Sequence, residues 1–142
     1  MPISDEQQIE LLSKANSVKN NAYCRYSNFP VGAAVLTDSG NYYTGCNVEN
    51  AAYPSGQCAE QNAIGTMVSN GGRKIKAIAI VTNGKGNGNL VGPCGQCRQM
   101  IREFCRPSEI TIIVSNGIRT EVVSLEEILP FSFGPSLMSL KD

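Results

Sequence analysis

The chain has 142 residues, with twelve basic side chains balancing twelve acidic ones and no histidine. That length supports one domain over residues 1–142, and an apolar fraction of 42% with mixed charges suits a packed core rather than a disordered chain. A polynucleotide binder usually carries a basic excess to replace phosphate counterions; zero net charge points instead to a small or weakly charged ligand.

Ser4 followed by Gln7 has the form of a capping box. Leu11, Leu12, Ala15, Val18 and Ala22 then recur at helical spacing, which predicts a helix over the first 20-odd residues. Residues 30–36 and 42–46 read as strands joined by the turn Asp38-Ser39-Gly40-Asn41, and 47–56 as a loop. A second helix begins near Cys58, with Ala59, Ala63, Ile64, Met67 and Val68 facing inward, and stops at Asn70-Gly71-Gly72. Residues 75–82 are apolar at most positions, as in a central strand buried on both faces. After a Gly/Asn-rich loop over 83–93, a third helix runs from about Cys94 to Cys105, stopped by Pro107.

Residues 110–114 and 118–123 read as strands around Ser115-Asn116-Gly117. Ser124 to Glu127 offers another capping box for a short helix ending before Pro130. The expected fold class is α/β: a mixed five-stranded sheet covered by helices on both faces. Its first two and last two strands form antiparallel hairpins, because such short turns cannot make a parallel crossover.

The opening Met1–Glu6 lacks the basic and apolar regions of a secretory signal, and no apolar stretch approaches the roughly 20 residues of a membrane span. The expected compartment is the cytosol. There, six cysteines point to metal binding or catalysis more readily than to a disulfide scaffold.

Two segments carry the chemistry: Cys58-Ala59-Glu60 and Pro93-Cys94-Gly95-Gln96-Cys97. A lone C-x-x-C also suits a redox pair or half of a structural zinc site. Redox chemistry needs no third cysteine and no neighbouring acid. Cys58, Cys94 and Cys97 all fall at predicted helix starts, where unpaired N–H groups and the positive dipole end favour thiolates. Three protein ligands match the open arrangement of catalytic zinc, whereas a closed site would recruit Cys24, Cys46 or Cys105 as a fourth. Glu60 lies two residues after a ligand, placed to take a proton from activated water and return it to substrate. An acid in a first helical turn also simply favours the dipole.

This constellation is the signature of the zinc deaminases. The sequence further resembles the small homotetrameric cytidine deaminases. The resemblance runs through residues 26–34 (Tyr26 to Ala34), 45–54 (Gly45 to Pro54), Cys58-Ala59-Glu60, 93–99 (Pro93 to Gln99) and 129–135 (Leu129 to Pro135). It implies a three-layer sandwich and one zinc ion per subunit, held by Cys58, Cys94 and Cys97. The implied reaction is hydrolysis of cytidine and 2′-deoxycytidine to uridine and 2′-deoxyuridine, with Glu60 as proton shuttle, within pyrimidine salvage. It also implies that Asn47 and Glu49 bond the ribose and that Phe29 packs on the pyrimidine. Ala51 and Tyr53 would serve a neighbouring subunit's site, and Phe133 would close a pocket across another interface.

Core packing for Phe29 and Phe133, and loop solvation for Asn47 and Glu49, are the plainer alternatives. The resemblance fails at Gln61, where many relatives carry arginine against the thiolates. A neutral amide keeps a donor but not the charge, with helix dipoles and Arg98 as candidates to compensate. Arg98, Arg102 and Arg106 form a stripe that reads as solvated, subunit-facing or nucleic-acid-contacting. The rival functions are a polynucleotide-editing deaminase, whose last core strands run parallel, a deaminase of another aminopyrimidine nucleoside such as an antibiotic, and a non-catalytic zinc module.

Overall fold

The computed structural model describes residues 3–83 and 89–138. In chain order the elements are α1 (Asp5–Lys19), β1 (Val31–Thr37), β2 (Tyr42–Cys46), α2 (Ala59–Ser69), β3 (Ile75–Thr82), α3 (Gly95–Arg102), β4 (Thr111–Ser115), β5 (Thr120–Ser124) and α4 (Leu125–Ile128), with 3-10 turns at Tyr53–Ser55 and Pro135–Met138. The five strands form one sheet in the order β2-β1-β3-β4-β5. Only β3 and β4 pair in parallel, bridged by α3; the two hairpins are antiparallel, as their short turns require.

Alternation along the strands sorts the core into two layers. Ala33, Val35, Ile78, Ile80, Ile112 and Val114 face α2, α3 and α4. Ala34, Leu36, Ala77, Ala79, Val81 and Ile113 face α1, which presents Leu11 and Ala15. The helices therefore cover both faces, as expected. Small side chains beneath α1 let it lie close: a Cβ at Gly32 would stand 1.9 Å from the carbonyl oxygen of Ala15.

Gly45 plays the corresponding part on the other face. A Cβ there would meet α2 backbone, at 2.3 Å from the Ala63 nitrogen and 2.7 Å from the Ala59 oxygen. The Asn62 amide then ties α2 to the end of β2, donating to the Cys46 carbonyl at 2.7 Å. Gly45→Ala is expected to cost about 1–3 kcal/mol through overpacking. Because α2 carries Cys58 and Glu60, the same variant should bind zinc more weakly. Thermal unfolding and competitive zinc titration check both.

Two boundaries differ from expectation. The third helix ends at Arg102 rather than Cys105, because the N–H groups of Glu103 and Phe104 turn to the i−3 carbonyls of Met100 and Ile101, at 3.3 and 3.0 Å. Phe104 O accepts the Ile75 N–H that opens β3, at 2.8 Å, and Cys105 O accepts the Arg102 guanidinium at 3.2 Å. The β4–β5 turn spans residues 116–119, so Ile118 belongs to the turn and is 74% exposed. Buried Asn116 organises that turn: its Oδ1 accepts the N–H groups of Ile118 and Arg119 at 2.9 and 2.7 Å.

Candidate active site

β2, β3 and β4 run in one direction, so their carboxyl ends open on a common edge. Ligand clefts of open α/β sheets form at such edges. The chain leaving β2 reaches the start of α2, and the chain leaving β3 reaches the start of α3. Cys58 is the N-cap of α2 and Cys94 the N-cap of α3, with Cys97 in the first turn of α3. Their three sulfur atoms lie within 4.8 Å of one another, and no other Cys, Asp or Glu joins the set among the described residues.

That grouping fits zinc. Thiolates about 2.3 Å from one tetrahedral ion stand about 3.8 Å apart, within reach of the observed spacing. Cys97 is fully buried, Cys58 half-buried and Cys94 exposed, so the cluster is anchored in protein on one side and open on the other. Among the described residues no fourth cysteine joins the three. Cys24 and Cys46 lie outside the cluster, and buried Cys105 donates its thiol to Ile101 O.

The metal-free chain holds the three thiols differently. Burial pushes Cys97 well above the ordinary thiol value, and the negative charges of Glu60 and Cys58 add to it. Burial also raises Cys58. At Cys94 burial acts upward too, but hydrogen bonds from the Cys97 and Gln96 backbone and from the two other thiols outweigh it and bring the value down. Cys58, Cys94 and Cys97 would hold a divalent cation as thiolates, and binding would then release the protons that the metal-free thiols keep.

Glu60 stands beside the cluster at the second position of α2, only 4% exposed. Burial raises its carboxyl above the usual glutamate range, against hydrogen bonds from its own N–H and from Cys97. An acid serving only the helix dipole would sit in solvent. Gln61 turns its carbonyl back to accept the Cys58 N–H at 2.8 Å, closing a capping box that fixes the Cys58 backbone. Arg98 directs its hydrogen bonds to backbone carbonyls. Its Nε donates to Pro93 O at 2.7 Å and another guanidinium nitrogen to Ile128 O at 2.8 Å.

The rest of the basic stripe is likewise structural. Arg102 is buried, donating to Ser132 Oγ and Cys105 O, while exposed Arg106 pairs with Glu109 at 3.5 Å. Neither of the first two is free to meet nucleic acid.

A cleft of about 300 Å³ opens onto the cluster. Phe29, Asn47, Glu49, Tyr53, Glu60 and Cys94 are among its walls. Phe29 is 40% exposed and Phe133 58%, so neither is core packing. The Asn47 amide accepts the Val31 N–H and donates to Phe29 O, both at 2.9 Å. Glu49 accepts the N–H groups of Tyr26 and Ser27 at 3.0 and 3.1 Å and the Ser27 hydroxyl. Asn47 and Glu49 are thus bonded into the loop that carries Phe29, rather than merely solvated. Ala51 and Phe133 do not line the cleft within one chain, whereas Tyr53 borders it at 80% exposure. Ser27 has no role assigned from sequence, although it lies inside the Tyr26–Ala34 motif.

The model of the cytidine and deoxycytidylate deaminase zinc-binding region matches residues 5–114. The chain belongs to this family. It is 39% identical over 130 residues to the cytidine deaminase of Sporosarcina psychrophila, covering 92% of this chain and 93% of that one. It is 37% identical over 124 residues to the cytidine deaminase of Mycobacterium tuberculosis H37Rv, 87% of each. Among solved structures, cytidine deaminase from Burkholderia pseudomallei superposes with a TM-score of 0.81 at 34% identity, over 92% of this chain and all of that one. Family membership makes the protein a zinc-dependent deaminase.

Proposed function

We propose that this enzyme hydrolyses cytidine and 2′-deoxycytidine to uridine and 2′-deoxyuridine, releasing ammonia, as a step of pyrimidine salvage in the cytosol. The carrying observation is Glu60, buried beside three clustered thiols at the end of a nucleoside-sized cleft. Pockets for small ligands begin at about 300 Å³. Bound zinc supplies the Lewis acidity that makes water a nucleophile near neutral pH.

Cys58, Cys94 and Cys97 hold the ion. Glu60 takes a proton from the attacking water as the new C4–O bond forms and passes it to ring N3. It then takes the second proton from the C4 hydroxyl and passes it to the amino nitrogen, so that the C4–N bond breaks, ammonia leaves and a C4 carbonyl remains. Phe29 packs against the pyrimidine while Asn47 and Glu49 bond the sugar. Ala51, Tyr53 and Phe133 complete neighbouring sites in a homotetramer. Phe131, Phe133, Leu137 and Met138 are all more than half exposed, an apolar surface that favours self-association.

Among the described residues no lysine or arginine lines the main cleft or the adjoining one over Tyr26, Ser27 and Asn50, and Glu49 borders both. A 5′-phosphate would therefore meet a carboxylate without a compensating cation. Ammonia release should be rapid from cytidine and at least about a hundredfold lower in kcat/KM from cytidine 5′-monophosphate, a difference of about 2.7 kcal/mol. Equal rates would exclude the nucleoside reading. Bound zinc without turnover of any cytosine nucleoside would favour a non-catalytic module.

A further inference from the structure

The loop between α1 and β1 is tied to the β2–α2 connection by backbone and side-chain bonds, among which the Ser27 hydroxyl alone bonds both the Glu49 carboxylate and the Phe29 N–H. Tyr23 and Val48 make an isolated parallel bridge at the base of the loop. Asn28 sits at its tip with φ +56°, a left-handed turn that asparagine tolerates. Ser27 Oγ lies within bonding distance of Glu49 Oε2 and accepts the Phe29 N–H at 3.0 Å. The direction of each bond follows from chemistry: an amide N–H only donates, and an ionised carboxylate only accepts. The Ser27 proton therefore points at Glu49 and its lone pair at Phe29.

The carboxylate has about four lone-pair sites. Two N–H groups occupy Oε1, and the Ser27 hydroxyl takes one site on Oε2. A single acceptor site remains to meet a ligand. Without Ser27, Oε2 loses its tether and the Phe29 backbone loses its acceptor. The low carboxyl value at Glu49, owed first to the Ser27 hydroxyl, agrees with a carboxylate held charged.

We propose that Ser27 is a positioning residue for substrate discrimination: its hydroxyl couples the orientation of Glu49 to the backbone carrying Phe29, so one loop sets the sugar-facing and base-facing walls together. The role rests on the proposed reading of Glu49 as the sugar contact and Phe29 as the base contact.

The test compares zinc-loaded wild type, Ser27→Ala and Ser27→Thr on cytidine and on its 2′,3′-dideoxy analogue. Ser27→Ala should raise KM for cytidine about tenfold, the scale of one hydrogen bond to a charged group, with kcat changed less than about twofold. KM for the dideoxy analogue should rise no more than about twofold, so the preference for sugar hydroxyls shrinks. Ser27→Thr, which keeps the hydroxyl, should restore discrimination. A wild type that discriminates while Ser27→Ala discriminates equally well overturns the role of Ser27 alone. A wild type indifferent to sugar hydroxyls overturns the Glu49 reading and the role of Ser27 with it, and a zinc-loaded wild type inactive on cytidine overturns the proposed function itself.

Discussion

Glu60→Ala is expected to lower kcat on cytidine by about 10³–10⁴-fold while leaving one zinc ion bound per chain. General acid–base catalysis typically contributes 10²–10⁴-fold. The upper part of that range applies because one carboxylate would serve several proton transfers in a single turnover. At 1.36 kcal/mol per tenfold, the loss corresponds to about 4–5.5 kcal/mol of transition-state stabilisation. The geometry gives no substitute: among the described residues Glu60 and Glu49 are the acids lining the cleft, and Glu49 is committed to Tyr26 and Ser27.

Glu60→Gln separates the proton from the shape. It keeps the size and a hydrogen-bonding carbonyl but cannot carry a proton, so it should fall nearly as far as alanine. A glutamine variant within about tenfold of wild type would reduce Glu60 to a positioning group. Zinc content must be measured alongside, since loss of metal would mimic loss of the base.

The sheet was legible in the sequence because buried strands and tight turns leave local signals. Residues 75–82 are apolar on both faces, and Gly40 at φ +92° marks the first hairpin as its position in the turn suggests. Capping boxes at Ser4 and Ser124 likewise name helix starts within four residues. The metal cluster was legible because its cysteines sit in two short contiguous segments, Cys58-Ala59-Glu60 and Pro93 to Cys97, that fall at helix starts.

What failed was everything decided by a distant partner. Past Arg102 the chain tightens into i−3 bonds and turns toward β3, where Phe104 O accepts the N–H of Ile75, nearly thirty residues away. Arg98 and Arg102 look like a solvent-facing stripe by spacing, yet both turn inward to satisfy carbonyl and hydroxyl groups of the chain around α4 and beyond it. A long cation whose stem lies along apolar surface carries no periodic mark of where its head will end. Ser27 is a further case, since a serine in a polar loop looks the same whether it meets water or a carboxylate 22 positions on.

Cys97→Ala should abolish zinc retention and, with it, turnover, whereas Cys105→Ala should keep both. Each thiol is buried, so burial alone does not distinguish them. Their surroundings do: Cys97 shares the sulfur cluster, while Cys105 belongs to the α2–α4 core layer and donates to Ile101 O. Dialysis against a chelator followed by metal analysis checks the pair; a Cys97→Ala chain retaining a full equivalent of zinc would remove Cys97 from the ligand set, and a folded Cys105→Ala chain losing it would overturn the core reading of Cys105.

The metal-free wild type should reveal the same site through pH. A thiol whose folded value is raised above about 8.5 keeps its proton after the unfolded chain has released its own. The folded state then binds more protons, so stability falls as pH rises past that point. Cys97 and Cys58 act in this direction, Cys97 by the larger shift, and Cys94 acts in the other. Tm of the metal-free chain should therefore decline from pH 8 toward pH 10, while the zinc-loaded chain stays level because the metal already stands where the protons were. Parallel declines in the two forms would place the titrating groups outside the sulfur cluster.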